Sequence, residues 1–271
     1  MKKKVQASKP HDIPVVIFCG GRGSRLKEET EVIPKPLVPI GDRPILWHIM
    51  KIYYAQGFRH FVLLLGYKGE KIKEYFCNYM LYTSDFTLEP RGSGATAQFH
   101  SKPAEDWRIT FVETGLDTQT GGRLKKAAKY ISGPEFMLTY GDGVANIDLS
   151  KLLETHRDKR RMVTMSGVIP PGRFGEVLRE KGEVIKFNEK PRQSDVLING
   201  GFFCVDRSIF KELSDDPALE FEKDVLPRLA DEKELAVYPH SGYWQCMDTI
   251  RDREVLKEEW DTGHAAWKVW A

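Results

Sequence analysis

The stretch that most constrains this chain is an apolar run that leads directly into a glycine-rich, positively charged turn. Residues 15–19 are apolar and mostly β-branched, which is typical of a buried parallel strand. Three glycines follow within four positions: Gly20, Gly21 and Gly23. Arg22, Arg25 and Lys35 add positive charge, and glycine lets a backbone lie in contact with a ligand. A strand that ends in such a turn predicts a phosphate-binding site.

Two familiar phosphate-binding loops do not fit this turn. A Walker A loop needs the pattern GxxxxGK[ST], which the chain lacks. A dinucleotide-binding fingerprint needs GxGxxG and a later acidic residue, but Leu26 stands where the third glycine belongs. Asp42 lies at a suitable distance, although in a Gly-Asp-Arg-Pro turn and not at the end of a second strand. An NAD-dependent oxidoreductase is therefore an alternative that the fingerprint supports poorly.

The first 140 residues alternate between strand and helix patterns. A helix begins near Pro44, because the apolar residues after it share one face: Ile45, Leu46, Ile49, Ile52 and Tyr53. We predict further strands at 61–65, 109–112 and 136–140 and further helices at 67–80 and 121–130, with a less regular, exposed segment at 81–107. This alternation predicts an α/β fold with a Rossmann-like, mostly parallel central sheet flanked by helices.

The second half has a different pattern. Short strands separated by turns are expected at 162–169, 174–178, 184–188 and 197–205, and they predict an added antiparallel, β-rich lobe at the side or end of the parallel sheet. A helix near 221–230, a strand near 234–238 and a helix from 249 to 261 follow. We expect residues 1–12 to be an N-terminal extension and 13–271 to form a single domain, without an internal repeat or linker.

Composition excludes several classes of protein. The 41 basic and 39 acidic residues nearly cancel, so neither a nucleic-acid partner nor a membrane surface is indicated. No apolar run is long enough to span a bilayer, and no apolar signal-peptide segment follows the basic Met1–Lys4 start. The four cysteines are far apart, without a CxxC pair. We therefore expect reduced thiols and a cytoplasmic location.

Two aspartates are candidate metal ligands. Asp142 lies between two glycines directly after the predicted strand 136–140, where ligands of open α/β sheets bind, and its carboxylate suits Mg²⁺. An Asx turn is the alternative for Asp142. Asp248 stands just before the last predicted helix, and there a side-chain cap of the helix is favoured over a metal shared with Asp142.

Three further motifs are less specific on their own. Glu189-Lys190 precedes Pro191 at the end of a predicted strand, and an exposed ion pair is the simplest interpretation. Asn199-Gly200 offers an amide and a backbone without Cβ, which suit a hydroxylated ligand. Trp267 and Trp270 are expected to pack or to form subunit contacts, and the seven histidines lie at spacings that indicate neither a metal site nor a catalytic triad.

Together these segments resemble the sugar-1-phosphate nucleotidylyltransferases. The general family signature matches residues 20–26, GGRGSRL, and the following Pro34-Lys35-Pro36. Further similarity lies in residues 27–30, 44–50, 66–69, 120–124, 140–143, 170–175, 199–203 and 244–249, so that the resemblance extends from residue 14 to 270. The chain departs from the family pattern at Cys19, Arg22, 90–104 and 116–119.

The resemblance implies a nucleotidyltransferase or GT-A-like fold. It also implies an enzyme that transfers a cytidylyl group from CTP to a sugar 1-phosphate with the help of Mg²⁺. It assigns nucleotide binding to residues 13–160, sugar-phosphate binding to 161–248, and a C-terminal helix and tail to 249–271. The implied nucleotide-binding residues are Gly20, Gly21, Gly23, Ser24, Arg25, Lys35, Thr118, Arg123, Gly141 and Asp142. The implied sugar-phosphate-binding residues are Tyr140, Glu189, Lys190, Asn199, Gly200 and Trp244.

The implied catalytic residues are Arg25, Lys35, Asp142 and Lys190, and the implied metal ligands are Asp142 and Asp248. The family also implies a homo-oligomer, a hexamer or another multimer. Three alternatives stay open: another nucleotide such as UTP or dTTP, another sugar or polyol phosphate, and a non-catalytic nucleotide-sugar sensor of the same fold.

Overall fold

The computed structural model describes residues 9–91, 94–102, 104–169, 176–181, 183–188 and 196–270. Fifteen strands lie in these ranges: β1 Val15–Cys19, β2 Pro39–Ile40, β3 Arg43–Pro44, β4 His60–Leu65, β5 Phe86–Arg91, β6 Gly94–Phe99, β7 Arg108–Glu113, β8 Glu135–Tyr140, β9 Gly143–Ala145, β10 Val163–Val168, β11 Glu176–Glu180, β12 Glu183–Asn188, β13 Ile198–Asp206, β14 Leu235–His240 and β15 Trp244–Cys246.

The α-helices in the same ranges are α1 Lys27–Thr30, α2 Ile45–Ala55, α3 Gly69–Cys77, α4 Tyr79–Thr83, α5 Thr120–Ala127, α6 Leu149–Lys159, α7 Ile209–Glu212, α8 Leu226–Asp231 and α9 Ile250–Asp261. A π-helical turn, Phe221–Val225, leads into α8. None of the helices in the described part of the chain has the length and apolarity needed to cross a bilayer.

A seven-stranded sheet in the order β14-β10-β13-β8-β1-β4-β7 forms the centre of the fold. β1 pairs in parallel with β4 and β8, and β4 pairs in parallel with β7. β13 pairs antiparallel with both β8 and β10, while β10 and β14 are parallel. The sheet is therefore mostly parallel with one reversed strand, and the predicted fold class is confirmed.

The predicted antiparallel addition lies partly inside this sheet. Of its four strands, β10 and β13 extend the sheet beyond β8, while β11 and β12 form a separate hairpin. The difference follows from burial: residues 200–205 of β13 are all buried, so both faces of this strand need cover. In β12, Val184 and Ile185 are exposed, which suits a hairpin outside the central sheet.

Two local predictions differ from the structure. The helix expected at 67–80 is divided into α3 and α4 at Asn78, whose backbone leaves the helical conformation. The segment 81–107, expected to be irregular, contains the regular hairpin β5–β6, in which Phe86 and Phe99 pair across the strands with ring centroids 5.5 Å apart. Helical spacing alone does not reveal a one-residue break, and a hairpin without a strict apolar alternation is hard to recognise.

Alternate side chains of the sheet enter two separate cores. In β1, Val15, Ile17 and Cys19 belong to the core that contains α2. Val16 and Phe18 belong to the core on the opposite face, which contains side chains of α5 and α8. Because both faces are covered by helices, the central strands read as continuous apolar runs.

The C-terminal tail returns to the α2 side of the sheet and completes the first core. Trp267 is fully buried, with ring centroids 5.6 Å from Tyr243, 6.1 Å from His48 and 6.4 Å from Trp260. Burial lowers the pKa of His48 to about 4, so the imidazole is neutral and accepts a hydrogen bond from the Trp267 indole at 3.5 Å. The expected packing role of Trp267 agrees with these contacts.

We expect Trp267→Ala to lower the free energy of unfolding by about 3–5 kcal/mol, because it removes a large buried ring and leaves a cavity. Urea unfolding of the purified variant measures this loss. The matched control is Leu88→Ala on the β5–β6 hairpin, whose side chain is exposed and whose replacement should change the free energy by less than about 0.5 kcal/mol. Equal effects of the two substitutions would contradict this assignment of the core.

Candidate active site

The carboxyl ends of β1, β4 and β8 meet at one edge of the central sheet, and a cavity of about 420 Å³ lies beyond them. Ligands of open α/β sheets bind at this edge. The cavity is lined by the glycine turn, by the segment before α5, by the end of β8 and by seven charged side chains. Its lining includes Gly20, Gly21, Gly23, Ser24, Arg25, Lys35, Thr118, Thr120, Arg123, Tyr140, Gly141, Asp142 and Asp248. Every implied nucleotide-binding residue thus lies around one cavity.

The three glycines of the turn lie in different structural environments. Gly23 has φ +62°, in the left-handed region where other residues are strained. A Cβ on Gly20 would lie 2.4 Å from Cζ of Arg123, so this glycine makes room for a buried guanidinium. Gly21 is exposed, and a Cβ there would have no atom within 4 Å. Of the three, Gly21 is the position where backbone alone faces open space at the cavity.

Arg123 organises the loops around the cavity. Its side chain is buried and donates to the carbonyl oxygens of Gly20, Leu65, Gly115 and Leu116 at 2.8–3.2 Å, and also to the hydroxyl of Thr114. Burial lowers the pKa of Arg123, but the pKa of arginine is so high that the group stays charged. One guanidinium thus joins the glycine turn after β1, the end of β4 and the segment before α5.

Lys35 connects the two candidate metal ligands. Its Nζ donates to Oδ2 of Asp142 at 2.6 Å and to Oδ1 of Asp248 at 2.8 Å. Arg25 donates from Nη1 to the other oxygen of Asp248 at 2.8 Å. Residues that lie more than 100 positions apart in the sequence therefore form one cluster of two cations and two carboxylates. We call this group the Lys35 cluster.

The charges of the Lys35 cluster support one another. Burial alone would lower the pKa of Lys35, but the charges and hydrogen bonds of Asp142 and Asp248 outweigh burial and raise it. Burial would likewise raise the pKa of Asp248, but Lys35 and Arg25 outweigh burial and lower it. The Lys35–Asp248 pair consequently stays ionised from below the usual pKa of a carboxyl group to above that of lysine.

The helix-cap interpretation of Asp248 is wrong. The N-cap of α9 is Thr249, whose side chain accepts from the backbone N–H of Asp252 while the Asp252 carboxylate accepts from the N–H of Thr249. This capping box occupies the helix end, and the Asp248 carboxylate points to Lys35 and Arg25 instead. The side chain of Asp248 thus lies in the cavity beside Asp142, as the alternative interpretation required.

A smaller cavity of about 40 Å³ shares Tyr140 and Asp142 with the first. Its lining includes Tyr140, Asn199, Gly200 and Trp244. The indole N–H of Trp244 donates to the carbonyl of Gly200 at 2.7 Å, and a Cβ on Gly200 would lie 2.5 Å from Oγ of Ser166. Gly200 is thus required by packing against β10.

Two implied site residues, Glu189 and Lys190, lie outside the residues that the structure describes. The proline-rich match at 170–175 does as well. Their assignment continues to rest on the family resemblance alone.

The sequence pattern gave no reason to single out Glu222. Its carboxylate accepts hydrogen bonds from Tyr140 at 2.7 Å and from Thr120 at 2.6 Å. A single glutamate without neighbouring glycines or prolines resembles any exposed helical residue, so only the tertiary structure reveals this contact.

Histidine spacing also missed a buried cluster away from the cavity. Glu135, His156 and Cys204 offer ligand atoms within 4.8 Å of one another. Glu135 is already ion-paired with Arg157 at 2.5 Å, and His156 bonds to the hydroxyl of Thr164 at 3.0 Å. These partners account for the buried polar groups, so the cluster is explained as part of the core.

Comparison with known proteins agrees with this geometry. The model of the nucleotidyl transferase family matches residues 14–252. The chain belongs to the nucleotidyl transferase family. Glucose-1-phosphate cytidylyltransferase of Salmonella typhi is 45% identical over 94% of the chain and 98% of that protein. A probable glucose-1-phosphate cytidylyltransferase of Bacillus subtilis is 47% identical over 94% of the chain and 99% of that protein.

A solved structure supports the same family. The crystal structure of HddC from Yersinia pseudotuberculosis superposes with a TM-score of 0.66 at 25% identity and covers 92% of this chain and 99% of that one. The same protein has been solved in complex with GMP-PN. The resemblance of this nucleotidyl transferase to the sugar-1-phosphate nucleotidylyltransferases is confirmed.

In this nucleotidyl transferase we expect Arg123→Lys to lower the free energy of unfolding by more than about 2 kcal/mol, because an ammonium cannot replace a planar guanidinium and leaves buried carbonyls unpaired. Urea unfolding measures the loss. Arg22→Lys is the control, since Arg22 pairs with Asp117 on an exposed surface and such pairs contribute about 1 kcal/mol or less. A similar loss in both variants would argue against the organising role of Arg123.

Proposed function

We propose that this nucleotidyl transferase transfers a cytidylyl group from CTP to a sugar 1-phosphate, giving a CDP-sugar and pyrophosphate. We further propose that the sugar phosphate is α-D-glucose 1-phosphate and the product CDP-glucose. The observation that carries the proposal is the identity of 45–47%, over almost the whole chain, to proteins named as glucose-1-phosphate cytidylyltransferases.

The reaction needs charge neutralisation more than a covalent intermediate. A phosphate oxygen of the sugar 1-phosphate attacks the α-phosphorus of CTP and forms a new P–O bond. The bond to the bridging oxygen of pyrophosphate breaks, and pyrophosphate leaves with that electron pair. Because the attacking phosphate is already an anion at neutral pH, no general base is required. The protein has to align the two substrates and compensate negative charge.

The Lys35 cluster supplies groups for both tasks. Its two cations, Lys35 and Arg25, are proposed to neutralise the triphosphate and the departing pyrophosphate. Both lie in the lining of the cavity beyond β1 and β8. Lys35 already contacts two carboxylates at 2.6 and 2.8 Å, so it is held at the centre of the charged region. Such preorganised charge stabilises a transition state without further rearrangement of solvent.

The donor set of Asp142 and Asp248 suits Mg²⁺. Both carboxylates reach one cationic group, Nζ of Lys35, so they converge closely enough to share a metal ion, and carboxylate oxygens are the ligands that Mg²⁺ prefers. Burial raises the pKa of the neighbouring Cys246 to about 12, so without a metal its thiol is protonated at neutral pH. When bound, Mg²⁺ would supply positive charge at the α-phosphate.

The remaining site residues are proposed to orient the two substrates. The backbone of Gly20, Gly21 and Gly23 with Ser24, Thr118, Arg123 and Gly141 would surround the nucleotide. Tyr140, Asn199, Gly200 and Trp244 would contact the sugar, next to the smaller cavity. By family resemblance Lys190 would bind the phosphate of the sugar and Glu189 a sugar hydroxyl. A homo-oligomeric state and a cytoplasmic location remain predictions.

We expect CTP with α-D-glucose 1-phosphate to give the highest kcat/KM in a matrix of nucleoside triphosphates and sugar 1-phosphates with Mg²⁺, by at least about tenfold, since a few buried hydrogen bonds distinguish bases and sugars. Pyrophosphate release measures each combination. A preference for UTP or dTTP, or for another sugar or polyol phosphate, would show that the proposed substrate pair is wrong and would identify the substrate that takes its place. No release with any pair would favour a nucleotide-sugar sensor.

Lys35→Met should lower turnover about a hundredfold or more, because a preorganised charge is lost, yet raise the affinity of the free enzyme for Mn²⁺. Affinity should rise because the ammonium no longer competes for the two carboxylates. Asp142→Asn should lower both turnover and the affinity for Mn²⁺. Electron paramagnetic resonance of unbound Mn²⁺ measures affinity independently of turnover.

The control for this pair is Lys257→Met, since Lys257 pairs with Asp261 on the exposed side of α9. Neither turnover nor Mn²⁺ affinity should change in this variant. If Asp142→Asn bound Mn²⁺ as tightly as the wild type, the proposed metal ligands would be wrong.

A further inference from the structure

Glu222 contacts Tyr140, a side chain that lines both cavities. It belongs to the π-helical turn Phe221–Val225 and is half-buried. The linings of the larger and smaller cavities include Tyr140, and that of the larger one includes Thr120, but neither includes Glu222. An effect of Glu222 on the cavities therefore passes through the side chains that it contacts.

Each carboxylate oxygen of Glu222 accepts from a different part of the site. Oε1 accepts from the phenol of Tyr140, at the end of β8, at 2.7 Å. Oε2 accepts from the hydroxyl of Thr120, the first residue of α5, at 2.6 Å. Hydrogen bonds to an ionised acceptor are short and strong. One side chain thus connects the segment beside the larger cavity with the tyrosine that lines both cavities.

The carboxylate of Glu222 fixes which groups donate and which accept in the hydrogen bonds that lead to the smaller cavity. An ionised carboxylate only accepts hydrogen bonds, so the phenol of Tyr140 is the donor in its hydrogen bond to Glu222. The phenol oxygen is then an acceptor for Nδ2 of Asn199, at 3.2 Å, while Oδ1 of Asn199 accepts from the N–H of Gly201 at 2.8 Å. The chain of bonds from Glu222 and the N–H of Gly201, which can only donate, both place Nδ2 of Asn199 towards Tyr140.

The environment of Tyr140 strengthens this direction. Burial and, as the second cause, the charge of Glu222 raise the pKa of Tyr140. The phenol therefore stays protonated and can act as a hydrogen-bond donor. Gly201 has φ +79°, and a Cβ there would lie 2.9 Å from the Tyr140 ring. Glycine at this position lets the ring lie against β13, beside Asn199.

The second branch supports the start of α5. Thr120 donates to Glu222 and accepts from the backbone N–H of Phe221 at 2.9 Å. The N–H of Gln119 and that of Gly121 donate to the carbonyls of Pro217 and Leu219, at 2.7 and 2.9 Å. The segment that ends in Glu222 therefore holds the loop before α5 from outside, and that loop lines the larger cavity.

We propose that Glu222 is a positioning residue that aligns the nucleotide side and the sugar side of the site by accepting from Thr120 and Tyr140 at once, and that through Tyr140 it supports the orientation of the Asn199 amide. The proposal rests on the proposed function in so far as Tyr140 and Asn199 contact a sugar phosphate.

Steady-state kinetics of Glu222→Gln test the proposal. The glutamine keeps the size of the side chain but brings an N–H₂ group that opposes one of the two hydroxyl donors. We expect kcat/KM for the sugar 1-phosphate to fall about tenfold to a hundredfold, with an unfolding midpoint close to that of the wild type. Glu220→Gln is the control, since Glu220 lies on the same segment and pairs with Lys223 on an exposed surface. Equal kinetics of both variants would overturn the proposal.

A double-mutant cycle tests the route through Tyr140. Tyr140→Phe removes the hydroxyl that transmits the direction from Glu222 to Asn199. In the Tyr140→Phe background, Glu222→Gln should lower kcat/KM by much less than it does alone. A loss by the same factor in both backgrounds would show that Glu222 does not act through Tyr140.

The side-chain amide signals of Asn199 give a readout that does not depend on turnover. Nuclear magnetic resonance of the ¹⁵N-labelled protein, with the signals assigned from their loss in Asn199→Asp, should show a shift in Glu222→Gln and none in Glu220→Gln. Absence of this shift would contradict the proposal. If the wild type released no pyrophosphate with any substrate pair, the proposed function would fail, and this measurement would still decide whether Glu222 orients Asn199.

Discussion

The arrangement of the site depends on one ammonium group. Nζ of Lys35 lies 2.6 Å from Asp142 and 2.8 Å from Asp248, and these residues come from the loop before α2, the end of β8 and the start of α9. Two carboxylates that approach each other repel unless a cation lies between them. Lys35 compensates this repulsion and so lets Asp142 and Asp248 converge. The same requirement explains why Arg25 lies on the outer oxygen of Asp248.

Glycines at the site serve the folded chain as much as any ligand. Gly20 makes room for Arg123, Gly200 for Ser166 and Gly201 for the ring of Tyr140. At Gly121, a Cβ would lie 2.7 Å from the side chain of Leu219. A glycine-rich motif in such a sequence therefore marks two surfaces, one that faces the cavity and one that packs against a neighbouring segment. Only the structure distinguishes them, because the pattern is the same for both.

The sequence predicted the central strands well because burial on both faces leaves an unbroken apolar run, as in β1, β4 and β8. It also singled out Asp142, since an aspartate between two glycines directly after a buried strand lies where ligands of open α/β sheets bind. Lys35, which lies between two prolines, received its role from the family resemblance. The sequence failed where the deciding partner is distant. It favoured a helix cap for Asp248 because the partners of this residue, Lys35 and Arg25, lie 213 and 223 positions away. Glu222 has no local pattern because its partners, Tyr140 and Thr120, lie 82 and 102 positions away.

The reversed strand β13 explains how one sheet edge carries two cavities. Since β13 runs against β8, Asn199 near its start lies beside Tyr140 at the end of β8. The pairing of β10 with β13 shifts register between Met165 and Gly167, and such a bulge turns side chains and backbone away from the regular pleat. A parallel strand in this place would bring its last residues to the edge instead. The reversal thus places Asn199 and Gly200 beside Tyr140, at the edge of the sheet where the proposed nucleotide site lies.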